Sequence, residues 1–226
     1  MAVRVVEPAT ASDSSSVAVD EERVGQPVPE LLAAAVQVAA DLVVVGRRGS
    51  GGFGALALGS TAHQLAEHSD RPLAVVPPAS RSRWPFARFV VGHDGSPAAG
   101  RALEWAAALA GVARAEVIVV HALNVGPAFA MAALEDAYAP TRTRVADVVD
   151  RDWSAPLREE GIEYSTVVEE GGAAGTLVAV ARARDADLLV VGRQSQRAFP
   201  GISMGSAAHR ALGFAPCPTV VVPTLP

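Results

Sequence analysis

Short apolar runs alternate along this chain with longer stretches in which apolar positions recur at helical spacing. The apolar runs predict buried strands, and the longer stretches predict helices. Because strands that alternate with helices usually form a parallel sheet with helices on both faces, the pattern predicts an α/β fold. The predicted strands are residues 42–45, 72–76, 89–93, 116–121, 163–168, 188–191 and 218–222. The predicted helices are residues 29–40, 96–110, 127–160 with a break at Pro140, and 173–184, with two more that open at Gly59 and Gly205.

One stretch of the chain occurs twice. Residues 40–47 (A-D-L-V-V-V-G-R) match residues 186–193 (A-D-L-L-V-V-G-R) at an offset of 146 positions. The other matches at this offset are Gly59-Ser60 with Gly205-Ser206, His63 with His209, and residues 72–77 with 218–223. Because one offset holds over some forty residues without a gap, we interpret the repeat as a duplicated domain and not as a solenoid of short units.

The first copy is shorter than the second. Residues 17–23 match the third predicted strand of the second copy, but no segment matches Phe89–Asp94 or the helix that follows it. We therefore predict a partial domain over residues 1–79 (the first copy), a Pro- and Arg-rich linker over residues 80–87, and a complete domain over residues 88–226 (the second copy). Either the first domain has lost its first strand and helix, or the sequence begins inside a longer gene.

The missing strand leaves one side of the strand at residues 42–45 without a neighbour. A strand edge without a neighbour presents unpaired backbone groups. Residues 3–7 have the pattern of a further short strand. We expect the first copy to be stable only when residues 3–7 or a partner molecule cover this edge.

A glycine-rich loop follows the strand at residues 42–45. It runs from Gly46 to Gly54, and Gly59-Ser60-Thr61 opens a helix after it. A strand, a glycine loop and a helix start together direct backbone N–H groups at a phosphate, and the partial positive charge of a helix N-terminus favours the anion. The stretch therefore predicts a phosphate site; a simple flexible turn is the alternative.

Composition and charge exclude several classes of protein. The net charge of −5 argues against a nucleic-acid-binding protein, and no apolar run is long enough to span a bilayer. The chain contains no lysine, which excludes a P-loop hydrolase with its Walker lysine. No Ser/His/Asp set or metal-ligand cluster has convincing spacing, and the single cysteine, Cys217, is expected to be a buried apolar residue. A cytoplasmic protein without nucleic-acid or membrane partners is the simplest interpretation.

These features together resemble the universal stress protein family. The resemblance is carried by the spacing Gly46-x2-Gly49-x9-Gly59-Ser60 between two apolar strands, by Asp94-Gly95-Ser96 at a strand end, and by the closing apolar run. It implies an open parallel five-stranded sheet in the order 3-2-1-4-5 with helices on both faces. Here the fold is expected in two tandem copies, the first partial. The resemblance also implies ATP as the ligand, with or without Mg²⁺.

In that order the first and fourth strands are neighbours where the strand order reverses, and open α/β sheets bind ligands there. The resemblance places Asp94 beside the adenine, with backbone contacts from Gly92 and Ala122, and it places the phosphates in the loop from Gly192 to Gly205. The predicted nucleotide-binding residues of the second copy are Gly92, Asp94, Ala122, Gly192, Arg193, Ser195, Gly205, Ser206 and Ala207. The matching residues of the first copy are Gly46, Arg47, Arg48, Gly49, Ser50, Gly51, Gly52, Gly59, Ser60 and Thr61.

Each copy departs from the family pattern in one half of its site. In the second copy Ser195 replaces the second loop glycine, which costs about 1–2 kcal/mol if that position needs a left-handed backbone. In the first copy the glycines are all present, but the strand that would carry the aspartate is missing. We therefore expect weaker ATP binding than a complete site would give.

Several of these residues also have a purely structural interpretation. Asp94 can cap the turn that follows it. Arg47 and Arg193 can be ordinary surface charges. His63 and His209, one turn into their helices, are expected to pack or to lie at the surface and not to bind a ligand, and His121 at a strand end is expected to be structural.

The favoured function is a stress-response regulator that binds ATP and thereby changes what its surface binds. No general base is evident, so at most slow ATP hydrolysis is expected. The alternatives are a nucleotide-free dimerising interaction module and an enzyme that uses a dinucleotide through the G-x-G-x-x-G pattern of residues 49–54. The last strands, at 72–76 and 218–222, are apolar edges, so we predict either a homodimer or an intrachain pairing of the two copies through them.

Overall fold

The computed structural model describes residues 2–6, 18–49, 57–78, 85–123, 135–194 and 204–224. Strands and helices alternate there as the sequence predicts. The strands are β1 (Ala2–Val6), β2 (Ala18–Glu22), β3 (Val43–Gly46), β4 (Leu73–Val76), β5 (Arg88–Gly92), β6 (Glu116–Leu123), β7 (Tyr164–Glu170), β8 (Leu188–Gly192) and β9 (Thr219–Val222). The helices are α1 (Pro27–Gln37), α2 (Ser60–His68), α3 (Pro97–Ala113), α4 (Glu135–Val148), a π-helical turn (Val149–Trp153), α5 (Ala155–Glu159), α6 (Ala173–Ala183) and α7 (Ser206–Phe214).

Seven strands form one sheet in the order β3-β4-β9-β8-β5-β6-β7. The strands of the second copy keep the predicted order 3-2-1-4-5, as β7, β6, β5, β8 and β9. The α/β class is therefore confirmed. The number of strands differs from the expected five, because β3 and β4 of the first copy extend the same sheet, and β4 pairs with β9 in the antiparallel direction.

The strand expected to be third in the first copy does not join this sheet. β2 pairs antiparallel with β1 in a separate two-stranded sheet. In the order 3-2-1-4-5 a third strand reaches the fourth only through the second and first strands, and neither has a counterpart in the first copy. The described N-terminal segment, residues 2–6, belongs to this two-stranded sheet and forms no pairing with β3, so it does not cover the edge of β3.

The repeat seen in the sequence holds in the backbone. At the offset of 146 positions, α1 falls on α6, α2 falls on α7 and β4 falls on β9. The chain leaves α1 and α6 through the same left-handed conformation, with φ of 49° at Ala39 and 48° at the equivalent Asp185. Equal elements and equal turns at one offset indicate that the described residues from α1 to β4 fold like those from α6 to β9.

Two apolar cores lie on the two faces of the sheet. Helices α1, α2, α6 and α7 pack on one face, where Leu65, Leu189 and Leu212 are fully buried. Helices α3 and α5 pack on the other face, around Phe89 and Leu103. Burial of this apolar area is the main stabilising contribution to the fold. Within the described ranges, no helix combines the length and the apolar character needed to cross a membrane.

The helix break predicted at Pro140 is wrong, because α4 continues through that residue. The helical course changes instead at Ser154. Its N–H donates to the Val149 carbonyl at 3.0 Å, and its hydroxyl donates to the same oxygen at 2.8 Å. A bond from residue i to i−5 widens the turn into a π-helix, a form that is often found at functional sites.

Strands β4 and β9 join the two copies around a local two-fold axis. Ala74 pairs with Val220, its own counterpart at the offset of 146, and Leu73 pairs with Val221. The interface therefore uses the same surface of both copies, as in a symmetric dimer. Of the two pairings predicted for the last strands, the structure shows the intrachain one, in which β4 and β9 pair with each other within a single chain.

Candidate functional site

The end of β8 lies beside the end of β5 in the second copy. The two strands are parallel, with Val91 paired to Val190. Gly192 ends β8, and Asp94 follows two residues after the end of β5. Because the carboxyl ends of parallel strands open at the same edge, Asp94 and Gly192 share one crevice where the strand order reverses.

Two glycines at this crevice are in tight contact with helices. A Cβ atom at Gly192 would lie 2.7 Å from the carbonyl oxygen of Ala98 in the first turn of α3. A Cβ atom at Gly92 would lie 2.9 Å from a methyl group of Leu177 in α6. Both glycines therefore permit close helix packing, and they leave bare backbone at the ends of the two strands.

The Asp94 carboxylate caps the turn that leads into α3. Its Oδ1 accepts the N–H of Ser96 at 3.1 Å, and the hydroxyl oxygen of Ser96 accepts the N–H of Ala99 at 3.1 Å. The capping interpretation of Asp94 is confirmed, and it is compatible with a ligand because Asp94 is only half-buried. Ala122, on the neighbouring strand β6, is also half-buried, and it lies opposite Glu169 of β7 in the register of the sheet.

The loop after β8 returns to its own start before α7 begins. The N–H of Gly205 donates to the carbonyl of Arg193 at 2.7 Å. Gly205 is the N-cap residue of α7. Because it has no side chain, it accepts no side-chain hydrogen bond from the first N–H groups of the helix. Ser206 and Ala207 form the first turn, and Ser206 is exposed. Such a helix N-terminus favours anions; Ser195 lies outside the described residues.

The loop after β3 closes in the same way. The N–H of Gly59 donates to the carbonyl of Arg47 at 2.9 Å, and Gly59 is the N-cap of α2 without a side-chain cap. Of the other predicted residues, Ser60 and Thr61 begin α2, Arg48 and Gly49 are exposed, and Ser50, Gly51 and Gly52 lie outside the described residues. Gly46 ends β3 at the edge of the sheet, so the described residues place no aspartate-bearing strand beside it.

Arg47 and Arg193 direct their side chains across the junction between the two copies. Arg47 Nη2 donates to the carbonyl of Ala215 at 2.5 Å, and Arg193 Nη1 donates to the carbonyl of Ser69 at 2.9 Å. Ser69 and Ala215 are equivalent positions at the C-termini of α2 and α7, where the helix dipole favours a cation. Burial lowers the pKa of both guanidinium groups from the ordinary value. The sequence placed Arg47 and Arg193 among the nucleotide-binding residues, with ordinary surface charge as the alternative. In the structure each guanidinium group contacts the opposite copy, and the backbone carbonyl of each residue closes its own loop.

Replacing Arg47 or Arg193 by methionine removes the charged donor and keeps an apolar stem. We expect each change to lower the free energy of unfolding by about 1–3 kcal/mol, because a helix-end carbonyl loses a charged hydrogen-bond donor. Urea denaturation followed by circular dichroism measures the loss. Arg48→Met is the matched control, since Arg48 is exposed on the same loop. Equal losses for Arg47→Met and Arg48→Met would contradict a role at the junction.

His63 and His209 meet across the same local axis. Their ring centroids lie 5.1 Å apart in an edge-to-face arrangement, and His63 Nε2 lies 3.7 Å from Glu67 Oε1. We expected these histidines to pack or to lie at the surface; their rings pack against each other, and His209 is also exposed. Together with the two arginines, they hold the start of each helix and the end of each loop against the other copy.

A cluster of aromatic side chains at the crevice was missed by the sequence reasoning. Trp153 stacks on His93 with centroids 4.6 Å apart and meets His121 edge-on at 5.1 Å. His93 Nδ1 accepts the N–H of Gly95 at 3.2 Å, and His121 Nδ1 lies 2.8 Å from the carbonyl oxygen of His93. Burial lowers the pKa of His93 to about 4, although Asp94 acts in the opposite direction. The cluster therefore holds the turn that carries Asp94, and His121 has the structural role expected of it.

Only part of this cluster had a signal in the sequence. His93 and His121 each follow an apolar run, so neighbouring strand ends could have been expected to bring them together. Trp153 comes from the π-helical turn far along the chain, and no pattern predicted that turn. Its ring lies against Gly95, where a Cβ atom would be 2.8 Å from Trp153 Cζ2 and where φ is +80°.

Cys217 is buried near the junction. Burial raises the pKa of its thiol to about 12, so the thiol stays protonated and unreactive at neutral pH. In the described part of the chain, no three His, Cys, Asp or Glu side chains lie together as possible metal ligands.

A model of the universal stress protein family matches the chain over residues 6–77 and again over residues 85–223. The chain belongs to the universal stress protein family. The double match agrees with the tandem repeat. The closed glycine loops and the 3-2-1-4-5 strand order of the second copy are therefore features of a universal stress protein.

A named relative and a solved structure are also universal stress proteins. The chain is 33% identical over 205 residues to the universal stress protein Rv1996 of Mycobacterium tuberculosis, covering 87% of this chain and 62% of that protein. This universal stress protein thus spans less than two thirds of the length of that curated relative. A universal stress protein structure from Archaeoglobus fulgidus is 22% identical with a TM-score of 0.64, covering 87% of this chain and 66% of that one. The structural likeness concerns the fold alone.

Proposed function

We propose that this universal stress protein is a stress-response regulator that binds ATP at the crevice of its second copy. One observation carries the proposal: Asp94 after β5 and Gly192 at the end of β8 share the crevice, and the loop from Gly192 closes on the N-terminus of α7. A carboxylate acceptor at one side and bare N–H groups at the other form a site for a ligand with an amino group at one end and phosphate at the other.

The residues present fit an adenine nucleotide. The Asp94 carboxylate would accept from the adenine amino group. The backbone of the loop that begins at Gly192, together with the hydroxyl of Ser206, would hold the phosphates, and Gly92 and Ala122 would offer backbone groups. ATP supplies the negative charge that the N-terminus of α7 favours. Mg²⁺, when present, would accompany the phosphates.

Regulation would act through Arg193. Its carbonyl closes the phosphate loop by accepting the N–H of Gly205, and its guanidinium holds the end of α2 in the other copy. A loop ordered by nucleotide would therefore favour one arrangement of the junction. We propose that a change at this junction alters what the protein surface binds in the cytoplasm.

The first copy offers a second loop of lower affinity. Its closure through Gly59 and Arg47 matches that of the second copy. It offers the phosphate half alone, because β3 has no aspartate-bearing neighbour among the described residues. ATP is therefore expected at the loop of the second copy first.

Aspartate placed at the start of one helix or the other distinguishes the two loops. Ser206→Asp puts a carboxylate where the phosphates of the second copy would lie, and we expect it to weaken ATP binding about tenfold or more by charge repulsion. Ser60→Asp is the matched control at the equivalent position of the first copy. An aspartate in the first turn of a helix is favourable for the helix, so both variants should stay folded. Isothermal titration calorimetry with ATP measures the affinity.

The same titration separates the competing functions. Binding of ATP but not of NAD, with the loss confined to Ser206→Asp, supports the proposal. Binding of neither nucleotide favours a nucleotide-free interaction module, which the capping by Asp94 and the arginine contacts would suit. Binding of NAD alone favours a dinucleotide-using enzyme.

A further inference from the structure

Trp153 touches the residues on both sides of Asp94. Its ring stacks on His93, with the centroids 4.6 Å apart and the ring planes inclined by 27°. On the other side of Asp94, Trp153 Cζ2 lies 2.8 Å from the place that a Cβ atom of Gly95 would take. Gly95 has a φ of +80° there, which a residue with a side chain rarely adopts. One aromatic ring therefore packs along the whole turn that carries Asp94.

The backbone before Asp94 is held by hydrogen bonds. The N–H of His93 donates to the carbonyl of Val120 at 2.9 Å, and His121 Nδ1 lies 2.8 Å from the His93 carbonyl oxygen, which can only accept. Trp153 also meets the His121 ring edge-on at 5.1 Å. Because glycine at position 95 has no side chain of its own to pack, the Trp153 ring restrains the turn at that point.

A widened helical turn delivers Trp153 to this place. Ser154 bonds back to Val149, five residues earlier, and both residues are fully buried. Arg158 braces the turn from outside, because its guanidinium donates to the carbonyl of Arg151 at 2.9 Å. Turns of this π-helical kind are rare and are frequently found at functional sites, which favours a role for Trp153 beyond filling the core.

The direction of the Asp94 carboxylate depends on the same turn. Its Oδ1 accepts the N–H of Ser96 at 3.1 Å, a bond that lasts only while the backbone of residues 94–96 keeps its course. A hydrogen bond from a ligand amino group to this carboxylate would weaken steeply if the carboxylate lost its direction. A site built to accept an amino group also rejects a ligand that lacks one, so the direction of the carboxylate decides selectivity as well as affinity.

We propose that Trp153 is a positioning residue, which fixes the Asp94 carboxylate and thereby makes the crevice selective for a nucleobase that carries an amino group. The proposal rests on the ATP site proposed above. Trp153 would act through the turn alone, whereas the phosphates are expected at the loop from Gly192 and at the start of α7. Loss of the Trp153 ring should therefore impair recognition of the base and leave phosphate binding intact.

The test compares three ligands by isothermal titration calorimetry on the full chain. They are ATP, inosine triphosphate, which has an oxygen in place of the adenine amino group, and inorganic tripolyphosphate, which has no base. Trp153→Leu keeps an apolar side chain and removes the ring. We expect it to lower the preference for ATP over inosine triphosphate at least about tenfold, the effect of losing a hydrogen bond to a charged group, with unchanged affinity for tripolyphosphate.

Two further variants calibrate this result. Trp105→Leu is the matched control, because Trp105 is a half-buried ring of α3 that packs on the same apolar core, and it should leave the preference unchanged. Trp153→Phe keeps a ring beside His93 and lacks the Cζ2 atom that reaches Gly95, so the preference should fall less than in Trp153→Leu.

A second measurement follows the carboxylate without nucleotide. The amide of Ser96, which donates to Asp94 Oδ1, should exchange with solvent at least about tenfold faster in Trp153→Leu than in the wild type or in Trp105→Leu. A double variant shows whether Trp153 acts through Asp94. Trp153→Leu combined with Asp94→Ala should show the same preference as Asp94→Ala alone, since the two changes remove one interaction.

The outcomes separate this role from the proposed function. An unchanged preference for ATP in Trp153→Leu would overturn the role of Trp153, and so would equal losses of ATP and tripolyphosphate affinity, which identify a purely structural residue. A wild-type chain that binds neither nucleotide would overturn the proposed function, and with it the selectivity. The exchange of Ser96 would then still show whether Trp153 holds the turn of Asp94.

Discussion

Replacing Gly192 by alanine will lower the free energy of unfolding by about 1–3 kcal/mol, the usual cost of forcing extra volume into a packed interior. The added Cβ atom would lie 2.7 Å from the carbonyl oxygen and 2.8 Å from the carbonyl carbon of Ala98. Both are backbone atoms in the first turn of α3, so the contact cannot be relieved by a side-chain rotation. The helix must move, and with it the turn that holds Asp94.

The duplication supplies the control for this change. Gly46 occupies the equivalent strand end, but a Cβ atom there approaches a single backbone oxygen, at 3.2 Å, in its own loop. We expect Gly46→Ala to change the free energy of unfolding by less than about 0.5 kcal/mol, as at other sites outside a packed interior. Urea denaturation of the two variants measures the difference. Equal losses would show that the glycines serve the local backbone and not the packing of α3.

Acid will destabilise the protein through His93. Burial beside Trp153 lowers the pKa of His93 to about 4 in the folded chain from 6.5, the ordinary value taken for the unfolded chain. The folded state therefore favours the neutral ring. Above pH 6.5 His93 contributes no pH dependence, because it is neutral in both states. As the pH falls from 6.5 towards 4, the unfolded chain takes up a proton that the folded chain does not, and stability falls by roughly 3 kcal/mol before levelling off.

His93→Asn separates this contribution from other acid effects. Asparagine can still accept the N–H of Gly95, which His93 Nδ1 accepts at 3.2 Å, but it does not titrate. The variant should be less stable at pH 7.5, since it loses the stacking on Trp153, and its stability should fall less between pH 6.5 and 4. Denaturation at a series of pH values measures both effects, and NMR titration of the His93 ring measures its pKa directly. An acid response identical to that of the wild type would exclude His93 as its source.

The two changes address opposite sides of one crevice. Gly192→Ala displaces α3 from the end of β8, and protonation of His93 disturbs the turn after β5. Neither change requires a ligand. If the crevice binds ATP as proposed, bound nucleotide should oppose the loss of stability in both cases, because a ligand that binds the folded state raises the free energy of unfolding.

The two copies within this single chain are arranged like the two subunits of a symmetric dimer. The pairing of Ala74 with Val220, the reciprocal arginine contacts and the meeting of His63 with His209 all relate equivalent residues. Because the copies are unequal, the symmetry ends at the sheet edge. One side of the pair carries the first strand and its helix, and the other side presents β3.

Much of the fold follows from the sequence by itself. The apolar runs predicted each main strand because burial on both faces of a parallel sheet demands continuous apolar residues. The single offset predicted two copies, the shorter of them without its first strand. The strand order and the nucleotide crevice came from the family resemblance, which rests on a few glycines, one aspartate and their spacing.

The tertiary structure decided how the two copies share one sheet. Residues 17–24 have the pattern of a strand, but a strand joins a sheet only where a neighbour offers backbone partners, and the first copy offers none at that place. Arg47 and Arg193 have the sequence of phosphate ligands, but a guanidinium on a long side chain binds whichever carbonyl the opposite copy brings within reach. Trp153 reaches His93 only because a π-helical turn aims it there. A sequence pattern reports only neighbouring residues along the chain. Sheet edges, the junction between the copies and the ring contacts depend on which distant segments the fold brings together.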